Sequence, residues 1–210
     1  MFQNYSNFGE RTMNIRNIYN ISVRVLLYPI SVWAEISAEN RERNELVKEI
    51  LLPFSLLVGL SSFFGMAFAE RIEDGFSLGY LLLNGLISFL IIFLEVYISG
   101  WLITRISRSF DPGIDPDRIF NLVIFSQIPF MLTLSITKLF PSLIFLNVLG
   151  AYSFFLLWNG IEPLIKLDNQ KKPFFMVLSA VIMVLLFLFL NMIFNGIYDG
   201  ILNRFTTFGI

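Results

Sequence analysis

Two residue types that carry much of enzyme chemistry are missing from this sequence. It contains no cysteine and no histidine, which excludes disulfides, thiolate or imidazole metal sites and every catalytic site that depends on a histidine base. It also has no GxSxG, Walker A or dinucleotide-binding glycine motif. We therefore expect that the protein is not an enzyme and that it binds no cofactor and no metal.

Charged residues are also scarce. They make up 15% of the chain, whereas a typical soluble domain has about 25%. The formal net charge is -1, and binding to nucleic acid requires a strongly basic surface. We therefore expect no nucleic-acid partner.

Long apolar segments take the place of the missing charge. Hydrophobic residues make up 56% of the chain, and the mean hydropathy is +0.71. A helix of about 20 apolar residues is long enough to cross the hydrocarbon core of a bilayer. The sequence predicts an all-α polytopic membrane bundle whose main partner is the lipid bilayer. Its five spans are predicted at residues 51–69, 78–104, 119–137, 143–161 and 174–198.

The residues before and after these spans are more polar. Residues 1–22 predict a flexible cytoplasmic arm, and residues 199–210 a short tail outside. Between the arm and the first span, residues 23–50 predict an amphipathic helix that lies in the cytoplasmic interface. Pro29 suits its first turn, and Ile30, Trp33 and Ile36 then fall on one face.

The basic residues are distributed unevenly along this topology. If the spans alternate in direction, twelve of the 15 Lys and Arg residues lie on the side of the N-terminus and three lie opposite. Lys and Arg concentrate in cytoplasmic loops of membrane proteins. The sequence therefore predicts a cytoplasmic N-terminus and a C-terminus outside.

One acid stands out inside the second predicted span. Glu95 lies nine residues from the end of this segment, and an ionisable group at such depth normally faces protein or water rather than lipid. Four other polar residues fall at a similar depth and define a predicted intramembrane polar cluster with it: Gln127, Tyr152, Ser61 and Ser62. Two interpretations remain open, a structural acid hydrogen-bonded to Gln127 or Tyr152, or a site for a proton or cation.

A second polar layer is predicted nearer the outer ends of the spans. It consists of Asn84, Asn147, Asn191 and Asn195. Amides at such positions join membrane helices through hydrogen bonds, and a polar transport path is the alternative. In the third span, Pro129 predicts a kink because proline removes one backbone hydrogen bond.

The joint between the second and third spans contains three aspartates without the spacing of a calcium loop. Asp111 followed by Pro and Gly predicts a turn. Asp115 followed by Pro116 predicts the N-terminal cap of the next helix.

Several short motifs resemble those of the Yip family of membrane proteins. They are PISVW at residues 29–33, LLPF ending at Phe54, SSFFG ending at Gly65, FSQIP ending at Pro129, and GAYSFFLLWNGI at residues 150–161. The resemblance covers residues 24 to 198 and is strongest to the short bacterial members. It implies five spans, a cytoplasmic N-terminus and a bacterial inner-membrane location.

The resemblance also implies a kind of function. Eukaryotic Yip proteins work in membrane trafficking with Rab GTPases, whereas bacterial relatives are associated with the assembly of membrane transport complexes. The arm of this chain lacks the acidic-aromatic-Gly-Pro motif of the eukaryotic proteins. We therefore expect a non-enzymatic adaptor or assembly factor that binds another membrane protein or a second copy of itself. The alternative is a small transporter or channel subunit with Glu95 as its proton or cation site.

Overall fold

The structure, a computed structural model, describes residues 20, 23–39, 41–69 and 78–208. Every regular element in these ranges is helical. The predicted arm at residues 1–22 lies outside the described residues, apart from Asn20. Residues 23–27 are helical, and the N-terminal helix proper follows at Pro29–Glu39.

Five helical segments are long and apolar enough to cross a membrane, as the sequence predicted. We number them in chain order as span 1 (Arg43–Phe68), span 2 (Leu78–Phe110), span 3 (Pro116–Leu139), span 4 (Pro141–Ile165) and span 5 (Lys172–Tyr198). Two of these spans depart from regular α-helix over part of their length, and one extends beyond its apolar segment. Span 1 contains a π-helical turn at Val47–Leu51 before the regular helix Leu52–Ala69. Span 4 begins as a 3-10 helix at Pro141–Ala151 and becomes α-helical at Tyr152–Ile165. The helix of span 5 continues beyond the apolar segment to Phe208.

The loop between spans 2 and 3 is shorter than the sequence indicated, because span 2 stays helical through Phe110. Its turn chemistry is as predicted. The Asp111 carboxylate accepts a hydrogen bond from the Gly113 amide at 2.8 Å, and the Asp115 carboxylate caps span 3 by accepting from the Asp117 amide at 2.9 Å. Pro116 occupies the first turn, where its missing N–H costs nothing.

Span 3 is the central helix of the bundle. It contacts spans 1, 2 and 4, whereas span 5 packs mainly against span 2. In its most apolar 18-residue window 83% of the residues are buried, compared with 22% in spans 4 and 5. Spans 4 and 5 therefore present most of their surface to the outside of the bundle.

Spans 1 and 2 approach each other so closely that only glycine fits between them. A Cβ added at Gly59 would lie 2.9 Å from the Gly85 carbonyl oxygen, and one added at Gly85 would lie 3.0 Å from the Gly59 carbonyl oxygen. Further along span 1, a Cβ at Gly65 would lie 1.9 Å from the carbonyl oxygen of Lys138 in span 3. Small residues at membrane helix contacts allow this proximity, which strengthens van der Waals packing.

The N-terminal helix packs along span 4. Trp33 is 2% exposed, and its ring lies against Gly160, where an added Cβ would approach Trp33 Cζ2 to 2.7 Å. The Ser37 hydroxyl donates to the Pro163 carbonyl at 2.8 Å. Of the predicted apolar face, Trp33 and Ile36 are buried against the bundle together with Val32, whereas Ile30 is 77% exposed. The location of this helix in the membrane interface stays a prediction.

The basic residues at the ends of the spans collect at one end of the bundle, which we call the inner end. They are Arg43, Lys48, Arg105, Arg108, Arg118, Lys166, Lys171 and Lys172. Cross-links between elements are found there, since Arg118 donates to the Leu164 carbonyl at 2.9 Å and Lys171 to the Phe110 carbonyl at 3.0 Å. Lys138 lies at the opposite end of span 3.

The glycine contacts give a test of the packing with a matched control. We expect Gly65→Ala to destabilise the bundle by about 1–3 kcal/mol, because the new methyl meets a backbone carbonyl that moves only with its helix. Gly196→Ala is the control, since a Cβ at Gly196 meets nothing within 4 Å. Unfolding of the purified protein in detergent measures both changes. Equal stability of Gly65→Ala and Gly196→Ala would contradict the packing.

Candidate functional site: the buried polar cluster around Glu95

Span 2 buries several polar side chains among apolar ones. Ser88, Glu95 and Ser99 are all buried, at spacings of seven and four residues that place them on one side of the helix. Glu95 itself has no exposed surface. The sequence prediction that this acid faces protein rather than lipid agrees with this position.

Two hydrogen bonds hold the Glu95 carboxyl group. Ser99, one turn away on the same helix, donates to Glu95 Oε1 at 3.1 Å. Gln127 of span 3 donates through Nε2 to the same oxygen, also at 3.1 Å. The other oxygen, Oε2, is buried and has no hydrogen-bond partner. The Gln127 contact joins span 2 to the central helix, and hydrogen bonds of this kind help to hold membrane helices together.

The other predicted members of the cluster do not reach Glu95. The Tyr152 hydroxyl donates to the Leu26 carbonyl at 3.3 Å and so holds the segment before the N-terminal helix against span 4. Ser62 bonds to span 2 nearer its outer end. Ser61 is buried but makes no hydrogen bond to Glu95. Equal depth put these residues on one level of the bundle, but adjacent positions on a helix point about 100° apart, so depth alone does not bring side chains together.

The predicted outer layer divides into two pairs of residues. Asn84 donates to the Ser62 carbonyl at 3.2 Å and to its hydroxyl at 2.9 Å, and Asn147 accepts from Thr137 at 2.9 Å. These two amides join neighbouring spans, spans 2 and 1 and spans 4 and 3. By contrast, Asn191 donates to the Phe187 carbonyl of its own helix at 2.8 Å, and Asn195 is exposed. The four amides do not form one continuous layer.

Pro129 lies within the continuous helix of span 3. The amide of the next residue, Phe130, donates to the Ser153 hydroxyl of span 4 at 3.2 Å. This bond gives the proline region a polar link to a neighbouring helix. A kink or hinge at Pro129 stays a prediction.

Sequence reasoning missed a second polar anchor at the inner end. Asn121, buried in span 3, donates to the Arg41 carbonyl at 2.9 Å and to the Asp117 carbonyl at 2.8 Å. It thereby fixes the linker before span 1 to the start of span 3. The sequence feature that could have indicated this anchor is a single amide side chain in an otherwise apolar turn, five residues after the start of span 3.

The cluster has a limited range of chemistry. Among the residues that the structure describes, no group of three or more Asp, Glu, His or Cys side chains lies close enough to hold a metal ion. Glu95 is accompanied by hydroxyl and amide groups rather than by a second acid or a base. Such a cluster suits hydrogen bonding between helices and the binding of a proton.

The comparison with protein families identifies the family of this chain. A family model described as the Yip1 domain matches residues 23–192. The chain belongs to the Yip1 domain family. No curated protein and no solved structure matches it.

The matched region of this Yip1 domain protein includes every contact described above, from the N-terminal helix to most of span 5. Three of the motifs that suggested the family meet in the structure. Trp33 of PISVW packs on Gly160 in the WNGI sequence of span 4, and its ring forms an edge contact with Phe125 of span 3 at 6.5 Å. These contacts dock the N-terminal helix on spans 3 and 4.

We expect the bundle to become less stable when the hydrogen bond between Gln127 and Glu95 is removed. We expect Gln127→Leu to destabilise the Yip1 domain by about 1–2 kcal/mol, because it keeps the volume but removes the donor from span 3. Ser61→Ala, at a buried position of similar depth without a bond to Glu95, is the control and should cost less. Denaturant titration in mixed micelles compares the two variants. A Gln127→Leu variant as stable as Ser61→Ala would show that the contact contributes nothing.

Proposed function

We propose that this Yip1 domain protein is a non-enzymatic adaptor or assembly factor within the membrane, acting in membrane trafficking or in the assembly of transport complexes. The observation that carries the proposal is the family match over residues 23–192. The hydrogen bonds of the buried polar side chains also support the proposal. Asn84, Gln127, Asn121 and Asn147 all bond to neighbouring elements, so they stabilise the bundle rather than line a reaction site.

The surface for a protein partner is best placed at the inner end. The starts of spans 1 and 3 lie side by side there, because the Arg43 amide donates to the Asp117 carboxylate at 3.3 Å. The residues at and just before these starts expose charged or polar side chains. We define this inner charged surface by Glu42, Arg43, Glu45, Asp111 and Gly113, all exposed. A membrane-protein partner or a second copy of the chain with complementary charges fits such a surface.

The orientation and location belong to the same proposal. The inner end carries most of the described basic residues at span ends, which favours a cytoplasmic position for this end and for the N-terminus. A bacterial inner membrane is the location that agrees with the resemblance to short bacterial Yip proteins.

A transporter or channel subunit is the second candidate, and one observation favours it. Glu95 Oε2 is buried without a partner, which is unusual for a group that serves only to hold helices together. Glu95→Gln separates the two candidates, because it keeps the shape and hydrogen bonding of the side chain while removing its ability to ionise. An adaptor tolerates this change, whereas a proton- or cation-coupled transporter loses its flux.

Partner capture tests the adaptor proposal. We expect the chain, crosslinked in intact membranes and purified in mild detergent, to carry a membrane protein or a second copy in a fixed ratio. The double variant Glu42→Lys with Glu45→Lys should reduce this recovery several-fold, because it reverses exposed charges on the inner charged surface. Ser142→Lys, at an exposed position near the opposite end, is the control and should not reduce it.

Two outcomes of this capture would contradict the proposal. Recovery of the chain alone would remove the support for an adaptor and make ion flux in liposomes the next measurement. Equal recovery with the double variant would show that the partner binds elsewhere.

The absence of cysteine makes the orientation directly testable. Ser109→Cys near the inner end and Ser142→Cys near the outer end each introduce the only thiol of the chain at an exposed position. In intact cells, a membrane-impermeant maleimide should label Ser142→Cys and not Ser109→Cys. Permeabilised cells should show labelling of both variants. The reverse pattern in intact cells would overturn the cytoplasmic location of the inner end.

A further inference from the structure

Three contacts join the N-terminal segment to span 4, at successive levels along both chains. They are Leu26 with Tyr152, Trp33 with Gly160, and Ser37 with Pro163. From the first contact to the last, both chains advance by eleven residues, from 26 to 37 and from 152 to 163. Because the advance is equal and in the same chain direction, the N-terminal segment runs parallel to span 4 rather than across it.

Span 3 gives the same alignment from the opposite direction. It begins at Pro116 at the inner end and runs away from that end. Its Asn121 side chain donates to the Arg41 carbonyl, and further along span 3 the Phe125 ring meets the Trp33 ring at 6.5 Å. Phe125 lies nine residues, or about 13 Å of helix, beyond Pro116. The N-terminal chain is therefore deeper in the bundle at Trp33 than at Arg41.

The exposed residues of the N-terminal segment change in character along its length. Those near its start are large and apolar, namely Leu26, Leu27, Tyr28 and Ile30. Those nearer its end are small or polar, namely Ser31, Ala34, Ala38 and Glu39. In a helix that lies flat in the interface, apolar and polar residues separate onto two faces. A change along the axis is expected instead when one end enters hydrocarbon and the other reaches the headgroups.

The basic residue of this segment is directed away from the apolar end. Arg24 lies near the start of the segment, and its guanidinium group pairs with the Glu35 carboxylate. Glu35 follows eleven residues later, closer to the inner end. Long basic side chains that begin inside a bilayer extend in this way toward the interface or toward an acidic partner.

We propose that the N-terminal helix is inserted into the bilayer leaflet at the inner end, parallel to span 4, and that its exposed residues Leu27, Tyr28 and Ile30 contact lipid acyl chains. The buried Trp33 side chain holds it against spans 3 and 4. This orientation differs from the flat interfacial helix that the sequence predicted. The helix enters one leaflet from the inner end and adds a short sixth element to the five spans.

Lipid is the partner that this surface fits, because the surface continues the exposed side of a membrane span. Tyr152, which bonds to the Leu26 carbonyl, stacks on the ring of Phe155, and Phe155 is exposed on span 4. Span 4 is long and apolar enough to cross a membrane, so its exposed rings belong among acyl chains. The start of the N-terminal helix lies beside them.

Spin labels on single cysteines test this orientation, because the chain has no cysteine of its own. Ile30, Ala34 and Ala38 are all exposed and lie four residues apart, so they form one stripe along the helix. In proteoliposomes of the full chain, collision rates with oxygen and with a water-soluble nickel chelate report the depth of each label. We expect Ile30→Cys to be about 10 Å deeper than Ala38→Cys, with Ala34→Cys between them.

Leu185→Cys, at an exposed position of span 5, is the reference for a label among acyl chains. Equal depths for the three labels of the stripe would show that the helix lies flat and would overturn the proposal. A label at Ile30 that is immobilised and reached by neither reagent would show that protein, such as a second copy of the chain, covers this surface. That result would overturn the contact with lipid. Neither result depends on whether the protein acts as an adaptor.

Discussion

The close contact of spans 1 and 2 at Gly59 and Gly85 is the constraint on which the interior of this protein depends. Without side chains at these positions, the two backbones come near enough for short polar groups to meet. The contact of Ser62 with Asn84 and Ser88 follows from it. In a bilayer, helices gain no hydrophobic free energy from associating with one another, so packing distance and hydrogen bonding carry the association.

A second contact ties the N-terminal helix to the membrane helices. Gly160 leaves room for the Trp33 ring, and Asn121 holds the following linker through the Arg41 carbonyl. Span 3 takes part in both contacts, since Phe125 meets Trp33 and Asn121 belongs to it. The central helix therefore connects the inner end to the polar cluster at Gln127. This arrangement explains why so much of span 3 is buried while spans 4 and 5 are not.

The distribution of polar groups connects the fold with its proposed role. Several buried amides and hydroxyls join neighbouring helices, and charged side chains are exposed at the inner end. A Yip1 domain protein that acts by binding another membrane protein needs a stable bundle and an accessible end, and it needs no catalytic group. Glu95 is the exception, because a carboxyl group is a more costly link between helices than the amides used elsewhere.

The sequence alone determined the class of the protein. It predicted five apolar segments long enough to cross a bilayer, the cap at Asp115 and the inward position of Glu95. Each of these features depends on a constraint that acts on one segment at a time: bilayer thickness, turn chemistry and the cost of a charge in hydrocarbon. Which side chains meet was decided only by the tertiary structure. Gln127 reaches Glu95 whereas Tyr152 reaches Leu26, and Val32 replaces Ile30 on the buried face of the N-terminal helix. These pairings depend on how each helix is rotated and how closely it packs, and both are set by glycines and bulky residues on other helices.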